Sequence, residues 1–146
     1  MAITKDTPLH IDASRVELDP LAVKAGSVIY AGGLACVETA TGLGVDATDA
    51  AGLEFAGIGW TGADPGGADG VYARLHSRGV AQVVASRLAV SCKVTGATPT
   101  SRANAFIVDN DTVSASATTH SVKCGTFISP DPLAPSRWIV RLTPIQ

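Results

Sequence analysis

Clustered basic residues, long apolar runs and paired metal ligands are all missing from this sequence, and each absence removes a class of function. The 11 Lys and Arg gather on no one segment and the formal net charge is −2, so there is no footprint for a phosphate backbone, and nucleic acid is not expected as a partner. No apolar run approaches the roughly 20 residues that span a bilayer. The stretch MAITKDTPLH at residues 1–10 also lacks the basic-then-apolar order of a secretory signal. No membrane partner is expected, and the protein is expected to stay in the cytosol that makes it. Three cysteines, Cys36, Cys92 and Cys124, form no CxxC or Cys/His pair of the kind zinc requires. They read as small buried hydrophobes, with an interchain disulfide as the alternative once the protein leaves a reducing cytosol.

What is present is apolar and rich in turns. Hydrophobic residues make up 46% of the 146, charged residues only 16%, and the 15 Gly and 8 Pro are spread along the chain, which predicts one folded domain with many reversals. The dominant period is two. LAVSCKV puts Leu88, Val90, Cys92 and Val94 on one face, and RWIVRL groups Trp138, Val140 and Leu142. VYARLH and GVAQVVA flank the turn signal Ser77-Arg78-Gly79 and predict a hairpin; SVIYA and LACVE, flanking Gly32-Gly33, predict another. Between them, residues 39–69 read as long loops around DPGG, with LEF and GIGW as the strand material. A helix of under two turns is expected from Asp19-Pro20 to Gly26. The fold class is therefore all-β: a small antiparallel β-sandwich or barrel with long loops and at most one or two short helices. Residues 1–18 carry Ile3, Leu9, Ile11, Val16 and Leu18 among polar residues and read as an extended arm, a frayed terminus being the alternative; residues 19–146 form the domain.

Acid, hydroxyl, imidazole and thiol crowd together in NAFIVDNDTVSASATTHSVKCG, residues 104–125. Counted from Asp109, a calcium loop needs Gly at its sixth position and Glu at its twelfth, where Ser114 and His120 stand. An Asx turn at Asp109, Asn110 and Asp111 fits better. His120 and Cys124 on one extended strand would lie about 13 Å apart, too far for a base to activate a nucleophile. His10 and His76 fall in the arm and on the polar side of a strand. Arg74, Arg78 and Arg87 read as solvated-face residues, and GADPGGADG lacks the Lys-Ser/Thr of a phosphate loop.

Two segments, KAGSVIYAGGLACVE (24–38) and AFIVDNDTVSASATTHSVKCGTFIS (105–129), with RWIVRL as a closing strand, together resemble the small head-decoration, or capsid-cement, proteins of tailed bacteriophages and prophages. SRLAVSCKVTGATPT at 86–100 and the length of the arm depart from that pattern. The resemblance implies a β-rich, commonly trimeric domain on the outer face of an expanded phage head, bound to the major capsid protein, with no cofactor, no small-molecule substrate and no catalysis. Ile3, Leu9, Ile11, Val16 and Leu18 are then the candidate capsid-binding residues, since an extended arm can add a strand to a partner's sheet edge. Another virion part, a head-fibre base or tail-tube component, is the second structural reading. A hydrolase using Cys124 or Ser114 with His120 is the third.

Overall fold

Ten strands order the residues that the computed structural model describes, which are 2–4, 18–62, 80–84 and 89–143. The arm residues Leu9, Ile11 and Val16, the histidines His10 and His76, the arginines Arg74, Arg78 and Arg87, and the VYARLH half of the first expected hairpin lie outside that set. Among the described residues there is no helix, and the all-β class holds.

The first five strands are β1 (Leu18–Ala22), β2 (Leu34–Glu38), β3 (Gly44–Asp46), β4 (Leu53–Thr61) and β5 (Val80–Val84). They form one antiparallel sheet in the order β1-β5-β4-β2-β3. Residues just beyond β1 cross to the opposite edge, where Val23 makes a parallel bridge to Gly44 and the Lys24 N–H donates to the Gly44 carbonyl. The sheet therefore curls until its two edges meet. Inside the curl Leu21 packs on a small cluster of Val23, Ile29 and Ala35. Gly44 is required there, because a Cβ would sit 2.7 Å from the Leu21 side chain.

The remaining strands, β6 (Ala89–Thr95), β7 (Asn104–Ile107), β8 (Thr112–Ser114), β9 (Lys123–Asp131) and β10 (Ala134–Leu142), close into a barrel in the order β10-β6-β8-β7-β9. Closure satisfies backbone donors and acceptors on both sides of every strand. The period-two pattern is visible in the burial: in β10, Val140 and Leu142 are buried while Arg141 between them is exposed. Trp138 stands edge-on to Phe127 at 5.8 Å between centroids.

One core joins the two halves. Leu34, Cys36, Phe55 and Ile58 from the sheet meet Cys92, Ile107, Val113, Cys124, Phe127, Val140 and Leu142 from the barrel. Each large apolar side chain fully buried in this way contributes about 1.5–3 kcal/mol. In β2, Leu34 and Cys36 face the barrel while Ala35 faces the curl, so this strand is buried on both faces.

Four expectations are corrected. Residues 18–22 form strand β1 rather than a helix: Asp19 pairs with Val83 and Pro20 with Gln82. A proline lacks the N–H of a central strand but is tolerated in an edge strand, so Asp-Pro here marks a sheet edge instead of a helix start. Leu18, counted with the arm, is paired with Val84 in the sheet. The segment 27–31 does not form a hairpin with β2, which pairs instead with β3 and β4. The glycine turn itself exists: the Gly33 N–H donates to the Tyr30 carbonyl, with Gly32 at φ +84°. It delivers residues 30–33 onto Gly59 of β4. Finally, β6 and β8 pair in parallel, inside a barrel whose other pairings are antiparallel.

Candidate functional site

The β7–β8 connection begins as an Asx turn. Asp109 Oδ1 accepts the Asp111 N–H at 2.9 Å, and the Val108 and Asp109 N–H groups both donate to the Thr112 carbonyl. A short acid at the first position and a polar residue at each of the next two suit this geometry, since the side chain replaces a backbone acceptor. The turn aims its two remaining polar side chains in different directions.

Asn110 points inward and is 1% exposed. Its Oδ1 accepts the Ile3 N–H at 2.7 Å and its Nδ2 donates to the Ile3 carbonyl at 3.0 Å, while the same Nδ2 donates to the Asp46 carboxylate at 3.1 and 3.2 Å. Its backbone carbonyl accepts the Leu34 N–H. One side chain thus ties together the N-terminal segment, β3 and the barrel turn. Burial pushes the Asp46 carboxyl up to about 6, against the pull of the Asn110 amide and the Ala47 N–H, with Asp109 adding repulsion.

Asp111 points along the barrel wall into a cationic clamp. Arg137 of β10 donates Nη2 to Asp111 Oδ1 at 2.7 Å and Nη1 to Oδ2 at 3.4 Å, and also donates to the Ser91 hydroxyl and carbonyl. Lys93 Nζ lies 3.4 Å from Asp111 Oδ2. The clamp spans β10, β6 and the start of β8, and so fastens the parallel pair.

After β8 the polar residues serve the loop itself. Ser114 Oγ accepts the Ser116 N–H. Asp49, far away in sequence, caps residues 118–120: its carboxylate accepts from Thr118 Oγ1, Thr119 N and His120 N at 2.8–3.1 Å, and the His120 ring lies 3.1 Å from the Asp49 carbonyl. Partial desolvation raises the Asp49 carboxyl, but those amides, the hydroxyl and the imidazole together hold it below the usual carboxylate range. His120 is oriented by Asp49, whereas Cys124 is fully buried and its thiol contacts the Ala105 carbonyl. The pair expected at 13 Å is thereby held in separate hydrogen-bond networks.

Cys36, Cys92 and Cys124 are free and 0–2% exposed. Burial pushes the Cys36 and Cys92 thiols up to about 12 and raises the Cys124 thiol well above its ordinary value, which leaves them protonated and unreactive at neutral pH. A disulfide to another chain would require opening the core. Ile3 is partly buried on the protein's own Asn110.

The partners Asp46, Asp49, Ser91, Lys93 and Arg137 carry no local sequence signal. They lie 18 to 71 residues from the side chains they bind, and only the tertiary fold brings them together. An open groove of about 240 Å³ runs between Val94, Thr98, Pro99, Pro135 and Trp138; its lining includes no titratable side chain. No protein-family model matches the chain, and neither the curated proteins nor the solved structures give a significant match.

Proposed function

We propose that this protein is a structural virion component, a decoration protein that binds the outer surface of a phage head through its major capsid protein, as a homotrimer, and stabilises the shell. The observation that carries this reading is the use made of the chemically capable side chains. Asp49, Asp109, Asn110, Asp111, Ser114 and His120 are all committed to hydrogen bonds that fasten the protein's own segments. A side chain held in this way stiffens a scaffold, and stiffness is what a shell-locking subunit needs. Bridging several capsomers, such a subunit buries apolar area at each junction, and multivalent attachment multiplies weak contacts without any chemistry. Of the arm residues assigned to capsid contact, Ile3 and Leu18 are engaged by the body of the protein. Attachment through the arm then draws on Leu9, Ile11 and Val16, or on Ile3 after it leaves Asn110.

The test is to mix purified protein with expanded, undecorated heads and sediment them. Co-sedimentation with a gain in head heat resistance is expected; no co-sedimentation and no gain would sink the reading. Labelling the protein in intact particles separates decoration from a fibre base or tail component, because decoration places copies over the whole shell.

A further inference from the structure

We propose that the outer face of β7, β9 and β10 is a docking surface for an acidic protein partner. Basic residues that gather on no one segment of the sequence gather here in the fold. In β9, Cys124 and Phe127 belong to the core, so Lys123, Thr126 and Ile128 beside them point outward. In β10, Arg141 is exposed between the buried Val140 and Leu142, and in β7 Asn104 and Phe106 flank the buried Ala105. The register aligns these positions: Thr126 lies opposite Arg141 on one side and Asn104 on the other, and Lys123 lies opposite Phe106. Arg102 adds a third cation just ahead of β7, where its N–H donates to the Phe127 carbonyl. With strands about 4.8 Å apart and residues about 3.3 Å apart along them, the Cα atoms of Arg102, Lys123 and Arg141 lie within roughly 10–15 Å of one another.

Two observations separate this face from an ordinary solvated wall. One is the lack of counter-charge. Among the described residues the ion pairs are Lys24 with Glu38, Lys93 and Arg137 with Asp111, and His120 with Asp49; Arg102, Lys123 and Arg141 are exposed and take part in none of them. The barrel's acids are turned elsewhere, Asp109 into its Asx turn, Asp111 into the clamp and Asp131 onto the Leu133 N–H. Like charges held together in this way repel, and a bound carboxylate relieves that repulsion. The other observation is the backbone of Arg102, at φ +71°. It is the third residue of a turn closed by the Ala103 N–H on the Thr100 carbonyl, and it opens a bulge in which the Phe127 N–H donates to the Ala103 carbonyl. Both positions favour glycine. Strain kept for the sake of an exposed side chain points to something that the side chain meets.

Charge and shape select the occupant. A second copy has little acid to offer, because Glu38, Asp46 and Asp49 of the first sheet are engaged by Lys24, Asn110 and residues 118–120. A nucleic acid is opposed by the net charge of −2, and three cations are few beside the roughly six to ten phosphate contacts of a salt-dependent duplex binder. Phe106 and Ile128 are half-buried and belong to neither core cluster, so apolar surface lies among the charges, as it does where proteins meet. The fitting partner is a carboxylate-bearing protein surface. This assignment is independent of the virion reading: protein that binds heads but fails the test below keeps that reading and loses this face.

The test is an NMR titration of the full chain at low salt with a short polyglutamate peptide. Amide shifts are expected at Arg102, Asn104, Lys123, Thr126 and Arg141, and should fade as salt is added. Lys123→Gln and Arg141→Gln should each weaken binding by about two- to fivefold, the share of one exposed ion pair. Arg102→Gly should weaken it similarly while raising the urea midpoint, because glycine relaxes the positive φ; weaker binding by a more stable protein cannot come from misfolding. Absent shifts on this face, or undiminished binding by the triple variant, would overturn the proposal. Tighter binding of a polythymidine oligonucleotide would overturn it in favour of nucleic acid, and the same shifts arising with protein concentration alone would overturn it in favour of a second copy.

Discussion

Replacing Arg137 by methionine tests whether the barrel depends on its clamp. The guanidinium makes two contacts with Asp111, at 2.7 and 3.4 Å, and two with Ser91, at 2.9 and 3.1 Å. Methionine preserves most of the apolar stem and removes all four. Asp111, only 12% exposed, is then left with Lys93, whose own side chain is 43% exposed. Breaking a fully buried ion pair costs about 3–5 kcal/mol; with Arg137 25% exposed, solvent screening lowers this to about 2–3 kcal/mol. With a urea slope near ~2 kcal/mol per M, the unfolding midpoint should drop by about 1–1.5 M. A double-mutant cycle with Asp111→Asn isolates the pair and should return a coupling of about 1–2 kcal/mol, most of which survives in 1 M salt because the pair is largely shielded from counterions. A coupling below about 0.5 kcal/mol, the level of an exposed pair, would refute the reasoning and reduce the clamp to surface decoration.

The other expectations concern single sites. Thr112 Oγ1 is buried with no hydrogen-bond partner, so Thr112→Val, which keeps the shape and removes the orphaned hydroxyl, should raise stability by about 1 kcal/mol; a loss in thermal unfolding would mean the hydroxyl is bonded. Gly125→Ala drives a Cβ into the Arg141 carbonyl oxygen of the paired strand, and should destabilise by about 3 kcal/mol, visible as a lower denaturant midpoint. Asp46 has its folded pKa raised from 3.8 to about 6, so its contribution to stability is greatest below pH 4, is lost as pH rises through 6, and is constant above that. Discounted for partial exposure, the difference between wild type and Asp46→Asn should change by about 1–2 kcal/mol between pH 4 and 7, and a constant difference in denaturation curves would contradict it. The three thiols should resist labelling at neutral pH until the protein is unfolded; rapid native labelling of Cys124 would reopen the question of a reactive cysteine.

Much of the fold is legible locally because burial on one face writes itself as period two. The strands around Val90 and Trp138 are visible in this way, and the turn at Asp109 is visible in its short polar residues. The expected helix at Asp19 fails because Asp-Pro satisfies two different demands, a helix start and an edge strand, and only the pairing with Val83 and Gln82 decides between them. The parallel pairing of β6 with β8 could not be read either, since it depends on which strand fills the last gap in a closed barrel. The role of Asn110 was hidden for the same kind of reason. As a turn residue it is ordinary; its burial follows from Ile3 and Asp46, which are 107 and 64 residues away.

The curled first sheet has a consequence for behaviour at high concentration. Strand margins that end in open air are templates on which a second molecule can extend the ladder, and repeated extension is how fibres begin. Here the seven residues from Leu18 to Lys24 border both margins, lying on β5 at one end and touching Gly44 at the other, and Pro20 withholds a donor midway. Margins interrupted in this way are poorer templates for a second copy than open ones. The same short run of residues that forms one margin of the sheet thus also interrupts it as a template.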